Sequence, residues 1–118
     1  MQKRWLVLVC ALGAVCVAAA AYAGLRHQVT AATVTTTSGN CLAQANARES
    51  LALDASAATA NIGYCEGVSC TAVIGAAGTS TLVAGSIYFW PADSAPKSAL
   101  CFISASGSQP LTIREGFR

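Results

Sequence analysis

The sequence predicts a small, mainly β domain of antiparallel strands, a meander or a sandwich, stapled by cysteine pairs. Three observations carry this reading. β-branched and aromatic residues gather in short runs from residue 28 onward, separated by breaks rich in Gly, Pro, Asn and Asp. Four cysteines, Cys41, Cys65, Cys70 and Cys101, lie behind an N-terminal stretch with the order of a secretory signal. The chain has 118 residues, room for one ordinary domain with a modest core.

The N-terminal stretch comes first. Lys3 and Arg4 open it, and Trp5 to Leu25 then runs 21 residues without a charge. The apolar character fades through Ala18 to Ala21, and Ala21-Tyr22-Ala23 before Gly24 has the small-x-small form of a cleavage site. The preferred reading is a signal peptide over residues 1–23, cut after Ala23, and a single exported domain over 24–118. The rival is an uncleaved membrane helix over 5–25: its 21 residues reach roughly 31 Å, and Lys3 and Arg4 would stay inside. A lipid anchor is weaker, because Cys10 and Cys16 each follow valine where a lipobox wants a small residue. The expected location is secreted, periplasmic or cell-surface, with the membrane involved only if the helix is kept.

The elements follow in order. Gln28 to Ser38 is extended, rich in Thr and Val, and Ser38-Gly39-Asn40 is a turn. Cys41 to Ala60 carries two signals. Its alanines and leucines suit one helix, which would give an α+β variant, yet Cys41, Ala43, Ala45 and Ala47 alternate with Leu42, Gln44, Asn46 and Arg48 as in a strand. Ile62 to Cys65 and Val68 to Ile74 flank Glu66-Gly67 as a hairpin. Thr81 to Trp90 is the strongest strand, ended by Pro91, and Leu100 to Ala105 is another. Leu111, Ile113, Glu115 and Phe117 alternate with Thr112, Arg114, Gly116 and Arg118, which predicts a terminal strand with one covered face.

Four cysteines allow three connectivities. The preferred one closes a short loop from Cys65 to Cys70 and leaves Cys41 to bridge to Cys101. A bridge over about 60 residues restrains the unfolded chain by roughly 4 kcal/mol. A structural zinc is disfavoured, since no second close cysteine pair exists and His27 is the only histidine.

Composition excludes several functions. Only 10% of residues are charged and 54% are hydrophobic, which is not the make-up of a disordered chain. Beyond Ala23, Arg26, Arg48, Lys97, Arg114 and Arg118 balance Glu49, Asp54, Glu66, Asp93 and Glu115. With no clustered Lys or Arg, the domain lacks the footprint of a nucleic-acid binder. A Ser-His-Asp or Cys-His device would have to use His27, close to the predicted new terminus. The carboxylates show no spacing that marks a catalytic pair, and Gly75-Ala-Ala-Gly78 lacks the lysine and helix of a phosphate loop. No cofactor is implied. The most informative run is Ile87-Tyr88-Phe89-Trp90-Pro91. On a strand, Val83, Ile87 and Phe89 share one face, and Tyr88 and Trp90 the other. If the first face packs inward, Tyr88 and Trp90 point outward together, able to stack on a sugar or anchor a protein. If both faces are covered, they are core.

An apolar N-terminal stretch followed by a disulfide-bearing antiparallel sheet is similar in layout to type IV pilins and pseudopilins. The motifs differ. Those proteins carry a leader ending in glycine and then glutamate as the fifth residue, whereas a cut after Gly13 would put Ala18 there. The layout implies a membrane-tethered subunit of an extracellular assembly, kept as the alternative to a non-catalytic exported module that binds a partner or serves as a surface component. A small secreted hydrolase is a third and weaker reading.

Intact mass of the exported chain tests the first of these expectations. A mass beginning at Gly24 that rises by about four mass units on reduction is expected for a released domain with two disulfides. A mass retaining Met1 would instead place the tethered subunit first.

Overall fold

The computed structural model describes residues 26–37 and 40–118. Residues 1–25, on which the signal-peptide and membrane-helix readings rest, and most of the Ser38–Asn40 turn lie outside the described residues. The described residues form eight strands: β1 (Arg26–Val34), β2 (Asn40–Leu42), β3 (Arg48–Asp54), β4 (Ile62–Glu66), β5 (Ser80–Leu82), β6 (Ile87–Trp90), β7 (Leu100–Ser104) and β8 (Gln109–Phe117). They build two four-stranded sheets, ordered β1-β8-β3-β6 and β2-β7-β4-β5, antiparallel throughout. Only β4 and β5 are neighbours both along the chain and within a sheet, so the fold is the sandwich rather than the meander.

Period-2 alternation decides the core. Leu51 and Leu53 of β3 and Leu111 and Ile113 of β8 point inward from one sheet. Ile62 and Tyr64 of β4, Leu82 of β5 and Leu100 and Phe102 of β7 meet them from the other. Burying a leucine or phenylalanine side chain stabilises by about 1.5–3 kcal/mol, which makes this shared layer the main apolar contribution.

Three expectations are corrected. Residues 41–60 hold no helix. They supply β2, β3 and the turns around them, because alanine-rich helix propensity is worth only tenths of a kcal/mol per residue and cannot compete with burying Leu51 and Leu53 between sheets. Glu66-Gly67 does not turn a hairpin. Such a hairpin would set Cys70 opposite Gly63, but the Cys65–Cys70 disulfide draws Cys70 to Cys65, and β4 pairs with β5 instead. The Thr81–Trp90 run is two strands. It breaks at Val83–Ser86, where Ser86 N donates to Val83 O and Gly85 adopts φ 84°, so β5 stays in one sheet and β6 crosses to the other.

The preferred disulfide pairing is the one present: Cys41–Cys101 and Cys65–Cys70. Cys41 and Cys101 face each other across β2 and β7, and Cys65 flanks Cys101 on the other side in β4. The longer bridge spans 60 residues and pins the short β2, which has only three residues of ladder to hold it. Disulfides of this kind persist in oxidising compartments. Among the described residues, no helix is long and apolar enough to cross a membrane.

One ionic group is fully enclosed. Arg48 is 0% exposed, and its Nε donates to Glu115 Oε2 at 2.8 Å, with Glu115 only 4% exposed. Its Nη1 donates to the carbonyls of Pro96 and Ser98 at 2.8 and 3.1 Å, and its Nη2 to that of Ala43 at 2.7 Å. The guanidinium thus has an acceptor for each of its nitrogens, which is the condition for burying a charge.

Arg48→Ala leaves the buried Glu115 carboxylate without its partner and takes the donor from three part-buried carbonyls. We expect a loss of about 3–5 kcal/mol in urea unfolding at neutral pH. The double variant Arg48→Met with Glu115→Leu removes both charges and should recover much of that loss. Equal instability of the two variants would show that geometry rather than the unpaired charge sets the cost.

Candidate functional site

The outer face of the β1-β8-β3-β6 sheet carries the chemistry that faces solvent in an ordered array. The strand register sets it in rows across the sheet. His27, Gly116 and Ser50 make one row; Val29, Arg114, Ala52 and Phe89 the next; Ala31, Thr112, Asp54 and Ile87 the third. On the two middle strands the small residues Gly116, Ser50, Ala52 and Thr112 surround the Arg114–Asp54 pair, and the flanks are apolar and exposed: Val29 on β1 at 65%, Phe89 and Ile87 on β6 at 63% and 58%. The result is an open groove of about 440 Å³ lined by His27, Val29, Ser50, Ala52, Phe89 and Arg114. Gly116 lies in its floor, and a larger residue there would have to displace the Ser50 hydroxyl.

Arg114 and Asp54 hold one end of the groove by a 2.8 Å ion pair between β8 and β3. Asp54 also accepts from Ser56 N at 2.9 Å. The hydrogen bonds from Ser56 and Arg114 lower its pKa from 3.8 to about 2. Glu49 is paired with Arg118 at 2.8 Å, and Glu115 with Arg48. The acidic residues weighed as catalytic candidates therefore lie apart, three of them occupied by arginines, while Asp93 sits in a loop at φ 66°. His27 faces Ser50 across Gly116, and no hydrogen bond joins the two side chains among the described residues. No three His, Cys, Asp or Glu residues among those described gather as a metal-binding group.

The condition for Tyr88 and Trp90 to point outward is not met. Their strand pairs with β3 so that Trp90 lies opposite Leu51 and Tyr88 opposite Leu53, both on the inner side. There they close around Tyr64 of the other sheet. Trp90 stands edge-on to Tyr64 at 5.9 Å, Tyr88 lies 5.0 Å from Trp90, and Tyr64 and Tyr88 are 6.5 Å apart. Trp90 packs against the main core, while Tyr88 at the rim is still 48% exposed. Burial pushes the Tyr64 phenol above its ordinary value, with a hydrogen bond to Ser80 acting in the opposite direction. Phe89 and Ile87 take the outward positions. The alternation along 87–90 was visible in the sequence, but which face turns inward depends on the partner strand.

No protein-family description matches the chain, and comparison with curated proteins and with solved structures gives no match.

The Asp54 pair gives a pH dependence with a definite sign. A carboxyl held below its unfolded value adds stability that is fully present above about pH 4 and is lost as the pH falls towards 2. Urea midpoints measured across this window should fall for the wild type, and Asp54→Asn should flatten part of that fall. An unchanged slope in the variant would remove Asp54 from the account.

Proposed function

We propose that this protein is a small, exported, non-catalytic binding module, and that strand β6 and the groove beside it make the contact. The carrying observation is the pair of exposed apolar flanks, Val29 on β1 and Phe89 with Ile87 on β6, on either side of Arg114 and the half-buried Ala52, on an otherwise regular sheet whose acids are tied up in ion pairs. Apolar side chains exposed together across a groove favour an interface, whereas single scattered ones do not. A protein partner fits this surface better than a sugar. The Trp90 ring is turned inward, edge-on to Tyr64 and packed against the core, so it does not offer a sugar its face. Tyr88, half-exposed at the rim, extends the same contact, and Trp90 anchors it from beneath.

The catalytic alternative draws little support from the geometry. A carboxyl lowered to about 2 is ionised at neutral pH and has no proton to donate. The tethered-subunit alternative rests on the N-terminal stretch, and the same face would then serve contacts within the assembly.

A photo-crosslinking residue placed at position 89 or 87 in producing cells tests this reading, with position 81 on β5 as control. Adducts of one defined mass at 89 and 87 but not at 81 are expected. Ile87→Ser with Phe89→Ser should abolish that partner's binding while shifting stability by only about 0.5 kcal/mol, as exposed substitutions do. Equal labelling at all three positions, or none at 87 and 89, counts against the reading.

A further inference from the structure

The two sheets end in four edge strands, and these are unequal. β2 and β5 have three residues each and β6 has four. β1 has nine, is paired with β8 along its whole length and has no neighbour on its other side among the described residues. Long edges in natural sheets are blunted by proline, a bulge, lysine or inward-pointing charge. Across Arg26–Val34 the only formal charge is Arg26 at the end, and the pairing with β8 runs without a bulge.

The hydrogen-bond directions of this edge can be read from its surroundings. Thr33 lies opposite Pro110, which has no N–H to give, and Thr33 O instead accepts from Asn40 Nδ2 at 2.7 Å. Thr33 therefore points its backbone groups away from β8. The far side of the sheet agrees. Ala55 N donates to Ser86 O, which turns the odd-numbered residues of β3 towards β6 and the even-numbered ones towards β8. Thr112, Arg114 and Gly116 of β8 then bond to β3, and their partners Ala31, Val29 and His27 on β1 face outward. Among the described residues nothing bonds to the outward N–H or C=O of His27, Val29 or Ala31.

We propose that this edge pairs with the same edge of a second copy of the chain, antiparallel about a two-fold axis at Val29. This register sets Val29 opposite Val29, and His27 opposite Ala31 in both directions, so that all six outward backbone groups are used. It sets Gln28 opposite Thr30 and Arg26 opposite Ala32, with no like charges facing each other. It also stops short of Thr33, whose carbonyl Asn40 already occupies. A slip of two to centre on Thr30 would bring that occupied carbonyl into the ladder. The self-match singles out a second copy as occupant: an isologous contact closes both β1 edges at once and leaves only the four-residue β6 strands at the ends of the joined sheet. The product is one eight-stranded sheet whose outer row runs from Phe89 of one copy through the two Val29 side chains to Phe89 of the other.

The test uses the full chain made with its own N-terminus in an oxidising compartment, followed by sedimentation over a range of concentrations and by amide hydrogen exchange. Twice the monomer mass is expected, with slow exchange at His27, Val29 and Ala31. Val29→Pro removes an N–H that faces outward, so the β1–β8 ladder keeps its bonds. Val29→Lys sets two like charges across the axis. Both variants should sediment as monomers with wild-type circular dichroism, and exchange at His27 and Ala31 should become fast. A wild type that stays monomeric at every concentration overturns the proposal. So does a dimer that survives both substitutions, since it must use another surface. A monomer in which these amides are protected only after a different protein is added would assign the edge to that protein's strand instead.

Discussion

The sandwich depends on one buried charge. Arg48 begins β3, and its guanidinium reaches the turn after β2 at Ala43, the loop between β6 and β7 at Pro96 and Ser98, and the carboxylate of Glu115 on β8. Three stretches far apart in sequence, residues 43–48, 96–98 and Glu115, therefore converge on one planar group with fixed donor directions. A lysine could not replace it, having a single nitrogen and no fork. The group sits at the end of the sheet where the apolar core runs out and the loops must be held by something else. Enclosing a charge is costly, and the cost is offset only because every nitrogen has an acceptor. The arrangement is therefore specific: loops that stray lose a bond to a charged donor.

The disulfides act on the other sheet. Cys41–Cys101 fastens a three-residue edge strand that the ladder alone would hold weakly, and Cys65–Cys70 redirects the chain after β4. The ion pair and the two bridges share the task of ordering a domain that has few large side chains. Much of the apolar content is alanine, which fills space between strands but buries little area. The core is accordingly a thin layer of leucines, isoleucines, Val34, Tyr64 and Phe102 between the sheets, with alanines filling the gaps.

The same economy in large residues shapes the surface. Gly116, Ser50 and Ala52 keep the floor of the outer face low around Arg114, so that Val29 and Phe89 stand as walls. Tyr64, Tyr88 and Trp90 close the side of the sandwich beneath β6. β6 thus presents aromatic rings on both faces, one set holding the two sheets together and the other turned to solvent.

Much of this was legible in the chain itself. The turn residues and β-branched runs gave an antiparallel β domain, and the cysteine spacing gave the preferred pairing. The alternation of Leu111, Ile113, Glu115 and Phe117 gave a strand with one covered face, because a period of two is a local property of the backbone. What failed was local reasoning applied to long-range choices. Residues 41–60 carry helix propensity, but β8 and β6, supplied from much later in the chain, take both sides of β3. Val83–Ser86 reads as mid-strand until one sees that the chain must cross between sheets there. Glu115 is a surface residue by composition and becomes buried only because Arg48, 67 positions away, meets it. Which side of Ile87–Trp90 faces the core was undecidable for the same reason: alternation defines two faces, and only the register with Leu51 and Leu53 says which one is inside. The sequence by itself determined the strands' periodicity, the four cysteines available for two bridges and the absence of clustered charge. Tertiary structure decided which strands pair, which charge is buried and which aromatic residues meet solvent, because each of those depends on contacts between residues that the chain keeps far apart.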